Sequence, residues 1–227
     1  MERSYDTRVD YSSVESDSTR ETGYCGASSD RHQFNRSILR EYDIRGIFDE
    51  TLDISDARAL GRIFGTVVSE ANGSTVCVGY DGRISSPVLE RAVIEGLNEA
   101  GIDAVRIGLG PTPMLYYAVS ALDADGGIMI TASHNPPEYN GFKLMLGKKS
   151  FWGDDIRRLG DMASLGHFAA GNGGVSDSPM MEAYVARIAQ DFQPGRDLTI
   201  AWDAGNGAAG EAMARLCALL PGRHILL

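Results

Sequence analysis

Residues 75–131 read TVCVGYDGRISSPVLERAVIEGLNEAGIDAVRIGLGPTPMLYYAVSALDADGGIMIT. Three short apolar runs, Thr75 to Gly79, Ala104 to Leu109 and Gly127 to Thr131, have the length and character of buried strands. Between them, apolar residues recur at helical spacing. The first helix opens at Ser86-Pro87, a capping residue followed by proline at the first helical position. It carries Leu89, Ala92, Val93 and Leu97 and should stop at Gly101. The second opens with the same device at Thr112-Pro113 and runs through Leu122. Strands and helices alternating across short loops predict an α/β fold: a three-layer α/β/α domain with a mainly parallel sheet covered on both faces. Ligands of such sheets gather at the loops leaving the carboxyl ends of the strands.

The pattern extends in both directions. Upstream, Asp53-Ile54-Ser55 starts a helix in which Ala57, Leu60, Ile63, Phe64, Val67, Val68 and Ala71 repeat until Asn72-Gly73. Residues 1–33 hold Val9 and Val14 as their only branched aliphatic residues, too little apolar surface to offset ordering, and are expected to form a disordered extension. Downstream, Asn140-Gly141 reads as a tight turn, Gly141 to Leu146 as a strand and Asp154 to Ser164 as a helix, so a first domain is expected over 34–165. The Gly- and Ser-rich stretch 166–179 marks a boundary, and 166–190 is read as a linker ending in a connecting helix. Residues 191–227 then hold a strand (Leu198 to Trp202), a glycine-rich turn and a helix (Ala208 to Leu220). They read as the truncated start of a second similar domain, since a last apolar strand would have nothing to pair with. Docking on the first domain or on another chain is the alternative.

Composition narrows the function. The chain has 227 residues, 43% of them hydrophobic, and a formal charge of −10. That charge argues against non-specific binding to nucleic acid or to an anionic membrane. No apolar run reaches the roughly 20 residues that span a bilayer, and the amino terminus lacks the apolar core of a secretory signal. Cys25, Cys77 and Cys217 are far apart and form no C-x-x-C pair, so neither a disulfide framework nor a zinc site of usual spacing is expected, and the cytoplasm is the default. Only three of the 21 basic residues are lysines, at 143, 148 and 149. Lysine, unlike arginine, can give up its proton when its surroundings press it to.

Thr131-Ala132-Ser133-His134-Asn135-Pro136 puts a serine on a loop at the end of the third strand, with proline to restrict the loop. Lys143 follows ten residues after that serine. A Ser-His-Asp hydrolase is disfavoured, because a histidine adjacent in sequence rarely points at its neighbour's hydroxyl and no G-x-S-x-G elbow is present.

These residues carry a resemblance. TASHNP followed by YNGFK resembles the phosphoserine loop of the α-D-phosphohexomutases. YDIRG (Tyr42 to Gly46) is similar to their first active-site loop, GYDGR (Gly79 to Arg83) to their G-x-D-x-R turn, GPTPM (Gly110 to Met114) to the loop before the serine, and DAGNGA (Asp203 to Ala208) to the start of their second domain. The match runs in order from about Gln33 to Leu227 and is most like the amino-terminal half of the bacterial phosphomannomutase/phosphoglucomutase branch. It implies that hexose 6-phosphate and hexose 1-phosphate interconvert through a phosphoserine and a hexose 1,6-bisphosphate. Ser133 would carry the phosphoryl group, and its phosphate would help bind Mg²⁺. Arg45 would sit near the transferring group, and Lys143 would act as general acid or base if burial near Arg45 lowered its pKa. Tyr42, Arg45 and His134 would contact substrate. Arg83 reads as a scaffold ion pair before a catalytic group. The family's aspartate-rich metal loop and most of its sugar and phosphate contacts are not found in this sequence, so the chain is expected to lack steady turnover.

Two rival readings remain. Gly205 to Gly210 matches G-x-G-x-x-G after a strand and before a helix, as in dinucleotide-binding modules. The other is a non-catalytic remnant or binding fragment.

Overall fold

The computed structural model describes residues 31–193 and 195–227. The extension expected over 1–33 lies, but for its last residues, outside them. His32 is already ordered: its amide donates to the Ala163 carbonyl at 3.0 Å and its ring meets Asp56 at 2.7 Å, so the packed chain starts earlier than the sequence suggests.

The described chain opens with a short 3-10 turn, Arg36–Ile38, and β1, Ile44–Ile47. Helix α1, Ile54–Glu70, starts where Asp53 accepts from the amides of Ser55 and Asp56 while the Asp56 side chain reaches back, a reciprocal cap. Then come β2 (Thr75–Tyr80), α2 (Ser86–Glu99), β3 (Asp103–Leu109), α3 (Thr112–Ala121) and β4 (Gly126–Ile130). The alternation read from the sequence is therefore present, with boundaries within a residue or so. β5 (Tyr139–Leu146), β6 (Lys149–Phe151), α4 (Asp154–Leu165), β7 (Val175–Asp177) and α5 (Met181–Ala189) complete this part, followed by β8 (Thr199–Trp202), α6 (Gly210–Leu219) and β9 (Arg223–Leu226).

The main sheet runs β1-β5-β4-β2-β3-β7, with β6 on β5. β4, β2, β3 and β7 are mutually parallel, and β5 is antiparallel to both β4 and β1. Side chains alternate between two apolar layers, as the pleat requires. Val76, Val78, Ile128, Ile130 and Leu144 enter a core with Leu60 and Phe64 of α1, Leu89 and Leu97 of α2 and Ile156 of α4. Cys77, Met129 and Met145 face Leu115 and Val119 of α3 and Val185 of α5. The three-layer α/β/α arrangement follows directly. One buried acid in it, Glu90, is neutralised by two hydrogen bonds from Arg106, at 3.2 and 2.8 Å.

Three details differ from the sequence reading. Asn140-Gly141 is not a turn but lies inside β5; glycine is required there because a Cβ would stand 2.1 Å from the Ile44 carbonyl of β1. The stretch read as a linker is stitched to the domain: the Gly171 and Gly173 amides donate to Glu99 and Asn98, and β7 adds to the sheet beside β3. The last residues are not a lone strand, since β9 pairs in parallel with β8. Ala212 of α6 packs into the same apolar layer as Met180, Met181 and Val185, while Leu198, Leu219 and Leu226 stay exposed. No helix among the described residues is long and apolar enough to cross a membrane.

Cys77 is fully buried in β2, and burial pushes its thiol up to about 12. Its thiolate is therefore scarce at neutral pH. Alkylation of the native chain with iodoacetamide at pH 8, read by peptide mapping, is expected to leave Cys77 unmodified until denaturant is added. Labelling of Cys77 in the native chain would contradict the packing of β2.

Candidate active site

β4 ends at Ile130, and the chain must turn to return as β5. Thr131 is still tied to β5 through its amide, which donates to the Gly141 carbonyl at 2.9 Å. Ser133 then adopts φ +56°, the left-handed region, at a strain of roughly 1–3 kcal/mol for a non-glycine residue. The Thr131 hydroxyl accepts from the Ser133 amide at 2.9 Å, and the Asn135 amide donates to the Ala132 carbonyl at 3.1 Å. This turn leaves the Ser133 and His134 side chains exposed above two buried residues, Thr131 and Ala132. The Ser133 hydroxyl thus stands outside the core, at the carboxyl end of a parallel strand.

His134 differs from expectation. Its Nδ1 lies 2.9 Å from Ser133 Oγ. The left-handed backbone at Ser133 breaks the alternation that would send adjacent side chains apart. Among the described residues no carboxylate pairs with the other nitrogen of this ring, so the contact is a Ser–His pair and not a triad.

The antiparallel pairing of β1 and β5 assembles the cations. Arg45 stands opposite Gly141 and Ile44 opposite Phe142, which puts Asp43 next in line across from Lys143. Asp43, 5% exposed, accepts from both cations: from the Arg45 guanidinium and from Lys143 Nζ at 3.2 Å. The Arg45 guanidinium also donates to the Asn135 side chain, joining β1 to the serine loop. Arg45 Nε is buried and has no partner. Two cations share one carboxylate, which leaves a surplus positive charge beside the loop, the condition a phosphate group favours.

The sequence-predicted residues therefore divide. Ser133, His134, Arg45 and Lys143 come together through direct contacts or through Asn135 and Asp43. Tyr42 is exposed, and its ring stacks on Trp152 at 6.3 Å between centroids. Arg83 forms an ion pair, as expected of a scaffold residue; its partner is Asp81, at 3.2 Å, and it reaches the serine loop as well. Asp43 and Asn135 belong to the site and are not singled out by the sequence reading. Asp43 sits within the quoted YDIRG, and only the strand register reveals its role. Among the described residues no three His, Cys, Asp or Glu side chains come together as a metal site. The turn of the rival dinucleotide reading shows Gly205 at φ +53° in open space, with its amide donating to the Asp203 side chain at 2.7 Å.

The fold and this loop define an α/β/α protein with a serine presented at the edge of a parallel sheet beside paired cations. Residues 36–159 match the family described as phosphoglucomutase/phosphomannomutase, alpha/beta/alpha domain I. A phosphomannomutase/phosphoglucomutase of Pseudomonas aeruginosa is 35% identical over 190 residues, covering 82% of this chain and 41% of that protein. A phosphoglucomutase of Neisseria gonorrhoeae is 38% identical over 183 residues, with 80% and 40% covered. The crystal structure of a phosphoglucomutase/phosphomannomutase family protein from Burkholderia thailandensis superposes with a TM-score of 0.82 at 40% identity, covering 86% of this chain and 44% of that one. The chain belongs to the phosphoglucomutase/phosphomannomutase family. It spans about two-fifths of the length of the curated relatives it matches.

Proposed function

We propose that this chain carries the phosphoryl-accepting part of a hexose-phosphate mutase, with Ser133 as the group that is phosphorylated. The observation that carries the reading is the exposed Ser133 hydroxyl at φ +56°, 2.9 Å from His134 and on a loop tied to Arg45. Relatives named for mannose and glucose phosphates support hexose phosphates as the substrate class.

In the loading step a hexose 1,6-bisphosphate donates one phosphoryl group. A P–O bond to the sugar breaks and a P–O bond to Ser133 Oγ forms. The hydroxyl proton leaves toward His134 Nδ1, and the sugar oxygen takes up a proton from Lys143. In the reverse sense, phosphoserine gives its phosphoryl group to a hexose monophosphate and regains the proton. Arg45 and Lys143 hold positive charge where the phosphoryl oxygens gather; fixed charges of this kind lower the barrier to transfer. Tyr42 would meet the sugar at the rim.

Magnesium belongs to this proposal only as an ion that the oxygens of the Ser133 phosphate would help to hold. The described residues bring no carboxylate cluster to the serine, so the site does not fit a metal by itself and no step is routed through one. The cytoplasm is the proposed setting, on the strength of the scattered cysteines.

The test is incubation of the chain with excess glucose 1,6-bisphosphate, followed by intact mass spectrometry. The wild-type chain should gain one phosphoryl group and Ser133→Ala none. A wild-type chain that stays unmodified, or a Ser133→Ala chain that is modified equally, contradicts the reading. Binding of NAD or NADP by calorimetry would favour the dinucleotide alternative.

A further inference from the structure

The loop that presents Ser133 has a donor shortage. Pro136 and Pro137 have no amide N–H, so residues 133–139 carry more carbonyls than internal donors to satisfy them, and such groups seek partners from outside. Arg83 supplies them. Its Nη1 donates to the Pro136 carbonyl at 2.6 Å and the Tyr139 carbonyl at 2.9 Å. Its Nη2 donates to the carbonyls of Ser133 at 3.1 Å and Asn135 at 2.6 Å. Nε donates to Asp81 at 3.2 Å. All five N–H groups of the guanidinium are thereby used.

The anchor behind Arg83 is rigid. Asp81 accepts from Ser86 Oγ at 2.7 Å and from the Arg83 amide at 3.1 Å, and its own amide donates to the Ile130 carbonyl of β4 at 3.0 Å. Asn140, fully buried, donates to the hydroxyls of Ser85 and Ser86 at 2.8 and 3.0 Å. The guanidinium is thus fixed to β4, β5 and the start of α2 before it touches the loop.

We infer that Arg83 is the positioning residue that holds Ser133 in its left-handed, exposed conformation, by clamping three loop carbonyls and the first carbonyl of β5 on one planar cation. It meets carbonyls and not the hydroxyl, so it acts through the backbone. Lysine cannot substitute: its ammonium has three donors and no planar fork, though it keeps the charge opposite Asp81. This inference rests on the proposed role of Ser133 for its functional consequence, whereas the clamp itself does not.

The experiment compares wild type with Arg83→Lys and Arg83→Gln. Circular dichroism checks folding and calorimetry measures glucose 1,6-bisphosphate binding. Intact mass measures the rate of Ser133 phosphorylation, and hydrogen exchange follows peptides covering 131–141. Both variants should fold and bind the donor as wild type does. Both should load phosphate about 100-fold more slowly, the size of effect that a small misplacement of a reacting group produces, and exchange faster in the loop only. Phosphorylation at the wild-type rate overturns the inference, as does a parallel loss of donor binding and rate, which would mark Arg83 as a general structural support. A wild-type chain that takes up no phosphate overturns the mutase reading instead. The exchange data then decide the clamp: unchanged protection of 131–141 in Arg83→Lys overturns it.

Discussion

Asp43→Ala should lower the unfolding free energy by about 3 kcal/mol, at the lower end of what removing one partner of a buried ion pair costs. The Asp43 side chain is 7% exposed and meets two cations whose side chains are 16% (Arg45) and 25% (Lys143) exposed. Without it, two like charges face each other across β1 and β5 with little water to screen them. Partial solvation of Lys143 keeps the effect from reaching the upper end. Arg45 also loses the partner that aims its second arm at Asn135, so the serine loop loosens with the strand pair. Urea unfolding of Asp43→Ala and Asp43→Asn against wild type measures this. A change under about 1 kcal/mol in both, the range of an exposed pair, would show that Asp43 does not bind the two cations together.

Gly96→Ala is the second large effect. A Cβ on Gly96 would lie 2.0 Å from the Arg58 carbonyl and 2.7 Å from the Arg62 amide, and across the same contact a Cβ on Gly61 would lie 2.1 Å from the Val93 carbonyl. Helices α1 and α2 touch backbone to backbone, and no rotamer change can relieve a collision with backbone atoms. Alanine's better helix propensity returns about 1 kcal/mol. Overpacking costs typically about 1–3 kcal/mol, and a collision with fixed backbone atoms belongs at the upper end of that range, so the steric term wins and the net destabilisation is expected at about 2 kcal/mol. Gly82→Ala is the control, since a Cβ there meets nothing within 4 Å; it should shift stability by no more than about 0.5 kcal/mol. Thermal unfolding of the two variants gives the comparison, and equal stability would contradict the close approach of α1 and α2.

The parts of the fold that were legible in the sequence are those whose signals are local. α1 starts at Asp53-Ile54-Ser55 as read, with Asp53 as its cap, and the apolar repeat of Leu60, Ile63, Phe64 and Val68 marks the face that is buried. The central parallel strands are apolar on both sides because both layers cover them. What the sequence did not reveal depends on partners distant in the chain. β7 is three exposed residues, Val175 to Asp177, and becomes a strand only because β3 offers an open edge. Gly141 looks like a turn residue and is a contact residue, for its reason lies in Ile44. Arg223–Leu226 becomes a strand through pairing with Thr199–Trp202.

The site divides the same way. Ser133, Arg45 and Lys143 are legible through the family resemblance, and the convergence of Arg45 and Lys143 follows from β1 and β5 lying side by side. The Ser133–His134 contact was not legible, because it depends on a backbone angle that side-chain chemistry does not announce. Arg83 reads from the sequence as a scaffold ion pair, and the structure supplies Asp81 as its partner. Its hold on the loop lies in backbone carbonyls of residues 133–139 that converge on it, a pattern that residue types do not encode.

The most direct test of the account is the location of the phosphoryl group after the chain is incubated with glucose 1,6-bisphosphate. Trypsin cutting after Arg106 and Lys143 releases a peptide that holds both Ser133 and Ser120, and fragmentation of that peptide distinguishes them. The account predicts phosphate on Ser133. Phosphate on Ser120, on another residue, or on none would contradict it.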